Sequence, residues 1–144
     1  MSLVGWTVRP RLLIADDDPV VRSTLVMALG ADFEVVGVAG DSEQAIDLAA
    51  ASKPDAALVD VDMPGGGLRA VRGILRVAPA TAVVVLSSDE LDGTVRELLL
   101  AGATAYCRKS ETPQALAEWL KQSITRRVSE RAAQARVSEP AAHV

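Results

Sequence analysis

Short apolar runs alternate along the chain with longer stretches in which apolar residues recur every three or four positions. The runs predict five strands, at residues 11–15, 34–38, 56–60, 82–87 and 104–107. The longer stretches predict five helices, at about residues 19–29, 42–52, 68–77, 89–100 and from 113 to at least 128. Five such strand–helix units favour a parallel sheet with helices on both faces, because right-handed crossovers leave few other arrangements.

Residues at the predicted helix ends support these boundaries. Pro19 occupies a favoured first-turn position, and Asp41 with Gln44 three residues later has the pattern of a capping box. Thr112 precedes Pro113 in the same way at the start of the last helix. Gly102 follows the fourth helix, where glycine commonly ends a helix.

Composition narrows the class of protein. The chain of 144 residues is 49% apolar and only 3% aromatic, which predicts one globular domain of packed helices and sheet. A net charge of −4 gives no basic face for nucleic acid. The single cysteine, Cys107, excludes an internal disulfide framework, and no leader or membrane span is indicated, so we expect a cytoplasmic protein.

The chain divides into three predicted parts. Residues 1–10 are expected to be an N-terminal extension whose opening Met-Ser-Leu has the character of a cloning scar. Residues 11–128 form the predicted domain, and residues 129–144 form a helix-permissive tail or the start of a linker. Too few residues follow the last helix for an output domain.

Polar side chains follow four of the predicted strands. Asp16 and Asp17 follow the first strand, Asp60 ends the third, Ser87 ends the fourth and Lys109 follows the fifth. Ligands of open parallel sheets bind beyond the carboxyl ends of the strands, so these groups are expected to converge. Converging carboxylates need a cation, and Mg²⁺ prefers carboxylates, water and phosphate oxygens. A carboxylate beside Mg²⁺ can attack a phosphoryl donor.

Four motifs resemble the receiver domain of bacterial two-component response regulators, over about residues 11–127. They read LLIADD at 12–17, LVDVDMP at 58–64, VVLSS at 84–88 and AGATAYCRK at 101–109. The resemblance implies a flavodoxin-like (βα)₅ fold, with five parallel strands in the order 2-1-3-4-5 and an extended last helix.

The resemblance also implies roles for individual residues. Asp60 would be the phosphoacceptor, and Lys109 would pair with the phosphoryl oxygens. Asp17 would bind Mg²⁺ directly and Asp16 through water, with the backbone carbonyl of Asp62 as another ligand. Such a domain is a switching module and not an enzyme, apart from weak self-phosphorylation and self-dephosphorylation.

Ser87 and Tyr106 would form the switch pair. The hydroxyl would move toward the phosphoryl group and the ring would follow inward, changing the face made by the fourth helix, fifth strand and fifth helix. The implied partners are a sensor histidine kinase or phosphotransfer protein, and a homodimer through that face or through the last helix. No nucleic acid or membrane partner is expected for this segment.

Three features depart from the family pattern. Ser110 replaces the proline that often follows the lysine, a form typical of regulators with a helix-turn-helix output domain. The loop of three glycines at 65–67 is about one residue shorter than usual, which predicts a mobile loop. Asp62 and Ser88 occupy positions at which the family tunes the access of water.

Other interpretations remain open from the sequence. Asp60-Val61-Asp62 is also compatible with the nucleophile motif of a haloacid-dehalogenase phosphatase, although Pro64 and the earlier acidic residues disfavour it. A phosphorylation-independent interaction module is a third hypothesis. Taken alone, Asp16 and Asp17 would be helix-capping residues, as Asp18 is predicted to be.

Overall fold

The computed structural model describes residues 8–88 and 93–138. Its strands are β1 (Arg11–Ala15), β2 (Glu34–Ala39), β3 (Ala56–Asp60), β4 (Ala82–Ser87) and β5 (Ala105–Arg108). Its helices are α1 (Pro19–Leu29), α2 (Ser42–Ser52), α3 (Gly67–Val77), α4 (Gly93–Leu100) and α5 (Pro113–Ser138). The predicted elements are confirmed to within one residue: β5 begins and ends one residue later than predicted, β2 ends one residue later and α3 begins one residue earlier. Residues 89–92, the predicted start of the fourth helix, lie outside the described residues.

The five strands form one parallel sheet in the order β2-β1-β3-β4-β5, which confirms the predicted topology. β3 lies between β1 and β4 and is buried along its whole length. Because all strands run in the same direction, the residues that follow β1, β3, β4 and β5 meet at one edge of the sheet.

The pleat of the strands divides the core into two layers. On β1, Leu12 and Ile14 pack on the layer under α1 and α5, while Leu13 and Ala15 pack on the layer under α2, α3 and α4. This two-residue alternation follows from β geometry, in which successive side chains point to opposite faces. Cys107 is buried in the first layer, as expected for a small core residue.

The predicted helix ends are confirmed. Asp18 accepts a hydrogen bond from the Val20 amide at 2.9 Å, and Asp41 accepts one from the Gln44 amide at 2.8 Å. Gly102, with φ of +117°, donates to Leu99, and Ala103 donates to Leu98 at 3.0 Å; together these bonds close a Schellman motif. The Thr112 hydroxyl accepts from the Ala115 amide at 3.1 Å.

The last helix is longer than the domain beneath it. Ile124 is buried, whereas Val128 is 65% exposed and every residue from 129 to 137 is exposed. The helix therefore extends about ten residues past its last contact layer. None of the helices in the described ranges has the length and apolar character required to cross a membrane.

Candidate functional site

Three carboxylates converge at the carboxyl edge of the sheet. One oxygen from each of Asp16, Asp17 and Asp60 lies within 4.8 Å of the others. Asp16 and Asp60 are 0% and 1% exposed, while Asp17 is exposed. The neighbouring positions of β1 and β3 in the sheet bring these carboxylates together, as the sequence predicted.

Lys109 places one positive charge between the two buried carboxylates. Its Nζ lies 3.2 Å from Oδ2 of Asp16 and 3.2 Å from Oδ1 of Asp60. The Lys109 amide donates to the Ser87 carbonyl at 2.9 Å, which fixes the backbone at the end of β5. Burial lowers the pKa of Lys109, but the hydrogen bonds and charges of Asp60 and Asp16 outweigh burial and raise this pKa above its ordinary value.

Asp16 is held by the first turn of α1. Its Oδ1 accepts a hydrogen bond from the Asp18 amide at 2.9 Å, and its carbonyl accepts one from Arg22 Nη1 at 2.8 Å. Arg22 was missed by the sequence reasoning. It lies one turn into α1, where an arginine is ordinarily a solvent-exposed residue.

Asp60 has one engaged oxygen and one unsatisfied oxygen. Oδ1 accepts from the Asp62 amide at 3.1 Å, whereas Oδ2 is buried and has no hydrogen bond to any residue of ranges 8–88 and 93–138. Burial is the main cause that raises the pKa of Asp60, with the Asp16 charge adding to it, while the Asp62 amide and Lys109 lower it. A buried carboxylate oxygen that lacks a hydrogen bond fits a hard cation such as Mg²⁺, whose preferred ligands are oxygens.

The two predicted switch residues lie on neighbouring strands. Ser87 is 4% exposed at the end of β4. Tyr106 is half-buried on β5, pairs with Val85 of β4 and packs against the layer under α2, α3 and α4. It also lines a groove of about 420 Å³ together with Leu99 of α4 and Trp119 of α5.

The positions that depart from the family pattern border this edge. Asp62 and Ser88 are exposed, so both are accessible to water. No cis peptide bond occurs in the described part of the chain, and the Lys109–Ser110 bond is accordingly trans. His143, in the predicted tail, lies outside the described residues.

Comparison with known proteins assigns the family. The family model for the response regulator receiver domain matches residues 12–121. The chain belongs to this family. The match spans β1 to the first part of α5, and therefore includes every residue of the site described above.

Several relatives of this receiver domain are transcriptional regulators. The chain is 39% identical to the response regulator GacA of Pseudomonas aeruginosa over 116 residues, which are 78% of this chain and 54% of that protein. It is 36% identical to the DNA-binding transcriptional activator DevR/DosR of Mycobacterium tuberculosis over 114 residues, 77% of this chain and 52% of that protein. The chain thus spans about half the length of these curated relatives.

A solved structure agrees with the same assignment. The signal receiver domain of the NarL response regulator from Mycobacterium tuberculosis matches with a TM-score of 0.76 and 30% identity, covering 81% of this chain and 97% of that one. The predicted family is confirmed, as is the resemblance to receivers of DNA-binding regulators.

Proposed function

We propose that this receiver domain accepts a phosphoryl group on Asp60 and thereby switches a surface that binds a partner or a second copy. The observation that supports the proposal most is the buried Oδ2 of Asp60, which has no hydrogen bond within the described ranges, in a carboxylate whose other oxygen is held by Lys109. A native protein tolerates such an unsatisfied atom where a ligand completes the site.

The residues at the edge of the sheet fit Mg²⁺. Asp16, Asp17 and Asp60 would hold the ion, with the backbone carbonyl of Asp62 as a further ligand. When bound, Mg²⁺ supplies positive charge that offsets the negative charge of a transferring phosphoryl group. This supply matters here because Lys109 alone cannot neutralise three carboxylates.

The transfer itself requires little covalent chemistry from the protein. A carboxylate oxygen of Asp60 forms a bond to phosphorus, and the bond from phosphorus to the donor's leaving group breaks with its electron pair remaining on that group. Lys109 stabilises the charge on the phosphoryl oxygens, and the hydroxyl of Ser87 donates a hydrogen bond to one of them.

Ser87 and Tyr106 would transmit the change. A phosphoryl group adds negative charge next to the Ser87 hydroxyl, and the half-buried ring of Tyr106 can follow to a more buried position. The affected groove, between α4, β5 and α5, would then present a different surface. The donor is expected to be a cognate sensor histidine kinase or phosphotransfer protein of the cytoplasm, and the last helix is a second candidate dimer surface.

Treatment with acetyl phosphate and Mg²⁺ tests the proposal. We expect intact-protein mass spectrometry to show one added phosphoryl group, which disappears after base treatment and is absent from Asp60→Asn. Beryllium fluoride with Mg²⁺ should change the tryptophan and tyrosine fluorescence in the wild type alone.

The two rival functions give different results in the same experiment. Steady release of phosphate from p-nitrophenyl phosphate, with turnover abolished in Asp60→Asn, would favour a phosphatase of the haloacid-dehalogenase type. Failure of the wild type both to acquire a phosphoryl group and to respond to beryllium fluoride would favour a phosphorylation-independent interaction module.

A further inference from the structure

The loop that follows Asp60 is fastened to the first turn of α2. The Ser42 amide donates to the Pro64 carbonyl at 3.0 Å, and the Ser42 hydroxyl lies 3.1 Å from that carbonyl and 2.9 Å from the carbonyl of Gly66. Ser42 is 0% exposed, although it opens a helix. A polar side chain at a helix start is usually exposed, so this burial needs a reason.

The loop conformation is built around the Ser42 hydroxyl. Gly65 adopts φ of +91°, and a Cβ atom at this position would lie 2.4 Å from the hydroxyl oxygen. Gly65 therefore has two reasons to be glycine, its backbone conformation and its contact with Ser42. The sequence predicted mobility from the glycines alone, without the bonds that Ser42 supplies.

Both sides of this contact are held in place. On the α2 side, the Asp41 side chain caps the Gln44 amide, and the Gln44 side chain accepts from the Gly40 amide at 2.8 Å. On the loop side, the Gly66 amide donates to the Met63 carbonyl at 2.9 Å. The Ser42 hydroxyl thus joins two turns that are held independently, and its removal would loosen the loop but not the helix start.

Asp62 lies in the segment that this contact holds. Its amide donates to Oδ1 of Asp60, and Pro64, two residues later, accepts from Ser42. We propose that Ser42 is a positioning residue for the metal site: it holds the loop so that the backbone carbonyl of Asp62 can bind Mg²⁺. This inference rests on the proposed function, because Mg²⁺ binding by Asp62 is part of that proposal.

The expected defect is in metal affinity and not in the chemical step. Without the hydroxyl, Pro64 keeps the Ser42 amide and the Gly66 carbonyl keeps the Ala70 amide at 3.2 Å, but the hydrogen bond that joins Gly66 to α2 is lost. Three successive glycines then give the loop more conformational freedom. Loss of groups that orient a metal ligand typically lowers affinity by about 10- to 100-fold. We expect the lower end, about tenfold, since Asp16, Asp17 and Asp60 do not depend on Ser42.

Magnesium titration of Ser42 variants tests the inference. Ser42→Ala and Ser42→Gly should raise the Mg²⁺ dissociation constant about tenfold by calorimetry, and should raise by the same factor the Mg²⁺ concentration that half-saturates phosphorylation by acetyl phosphate. The rate at saturating Mg²⁺ should remain within about twofold of wild type. Ser42→Thr, which keeps a hydroxyl, should bind Mg²⁺ more tightly than Ser42→Ala.

Ser52→Ala is the control. The Ser52 hydroxyl also donates to a backbone carbonyl, that of Leu48 at 2.7 Å, but at the other end of α2. Its removal does not touch the loop and should leave Mg²⁺ affinity unchanged. Unchanged Mg²⁺ affinity in both Ser42→Ala and Ser42→Gly would overturn this inference, and so would an equal loss of Mg²⁺ affinity in Ser52→Ala. Neither result would contradict the proposed function. Absence of Mg²⁺ binding by the wild type would overturn the proposed function and this inference with it.

Discussion

Lys109 Nζ lies 3.2 Å from Oδ1 of Asp60, and it lies equally close to Asp16. One ammonium group therefore serves two buried carboxylates. This arrangement leaves an excess of negative charge beside two buried carboxylates. Such an excess lowers the free energy of unfolding of the chain.

Asp60→Asn should stabilise the chain in the absence of divalent cations. The pKa of Asp60 is raised by burial, so the folded state binds the proton more tightly than the unfolded state does. The free energy of unfolding therefore falls as pH rises from the ordinary aspartate pKa through the raised pKa of Asp60. Above that range the loss of stability remains. We expect Asn to gain on the order of 1 kcal/mol at pH 7, about 4 °C in Tm.

Thermal unfolding in EDTA from pH 4 to pH 8 measures this effect. The gain should be small at pH 4 and should grow toward neutrality. Asp62→Asn is the matched control, because Asp62 is exposed and its replacement should change stability by less than about 0.5 kcal/mol. A gain that is constant with pH, or equal in the two variants, would contradict the electrostatic explanation.

Lys109→Met should destabilise the chain by about 3 kcal/mol at pH 7, the usual cost of removing one partner from a buried ion pair. Burial lowers the pKa of Lys109, but Asp60 and Asp16 raise it by more, so the pKa lies above its ordinary value. Its stabilising contribution is therefore complete below the ordinary lysine pKa and is lost only as pH rises through the raised value. Acidification should shrink the defect, since Asp60, whose pKa is raised, no longer needs the cation once it is protonated.

A double-mutant cycle with urea unfolding separates this pair from its surroundings. Lys109→Met combined with Asp60→Asn should be clearly less destabilised than the sum of the single effects predicts, because the second change removes a charge that the first leaves unpaired. Additive effects would mean that Lys109 contributes by packing and not through the charge of Asp60.

The sequence predicted the acidic site well because each of its parts has a local signal. Asp16 and Asp60 directly follow or end apolar runs, and a parallel sheet brings such positions to one edge whatever lies between them. Asp18, Asp41 and Gly102 were likewise predicted from local helix-end chemistry.

The contacts that support the site had no such signal. Arg22 reaches the carbonyl of Asp16 from the next turn, and Ser42 reaches carbonyls that lie 22 and 24 residues later in the chain. Residue type does not reveal these partners, because serine and arginine at helix surfaces ordinarily bind water. The switch role of Tyr106 stays a prediction for another reason: it concerns the difference between two conformations, and the half-buried ring belongs to one of them.

Cys107 should be nearly unreactive in the folded chain. Burial and, to a lesser degree, the charge of Glu111 raise its pKa to about 11. At pH 8 only about one thiol in a thousand would then be thiolate, the form that reacts. Ellman's reagent should therefore modify the native chain at least tenfold more slowly than the urea-unfolded chain, in which one thiol reacts. Glu111→Gln should increase the native rate modestly, and a native rate equal to the unfolded one would contradict the assignment of Cys107 to the core.

Removal of residues 129–144 should leave the stability of the domain nearly unchanged. Residues 129–137 are all exposed, so this part of the helix buries little apolar surface. Leu120 and Ile124, in the earlier part of α5, are buried in the core. A chain ending at Val128 keeps Arg127, which donates to the Pro79 carbonyl at 2.7 Å. We expect Tm to change by less than about 2 °C, with a circular dichroism signal reduced by about ten helical residues.

Leu120→Ala provides the contrast for this truncation. Leu120 is fully buried, and its replacement should cost about 2 to 5 kcal/mol. If the truncation instead lowers Tm markedly, the dependence of the wild-type Tm on protein concentration identifies the cause. A Tm that rises with concentration would show that the exposed part of α5 is buried against a second copy, because association stabilises the folded state by mass action. A Tm independent of concentration would place the lost contacts within the chain itself, contrary to the exposure of residues 129–137.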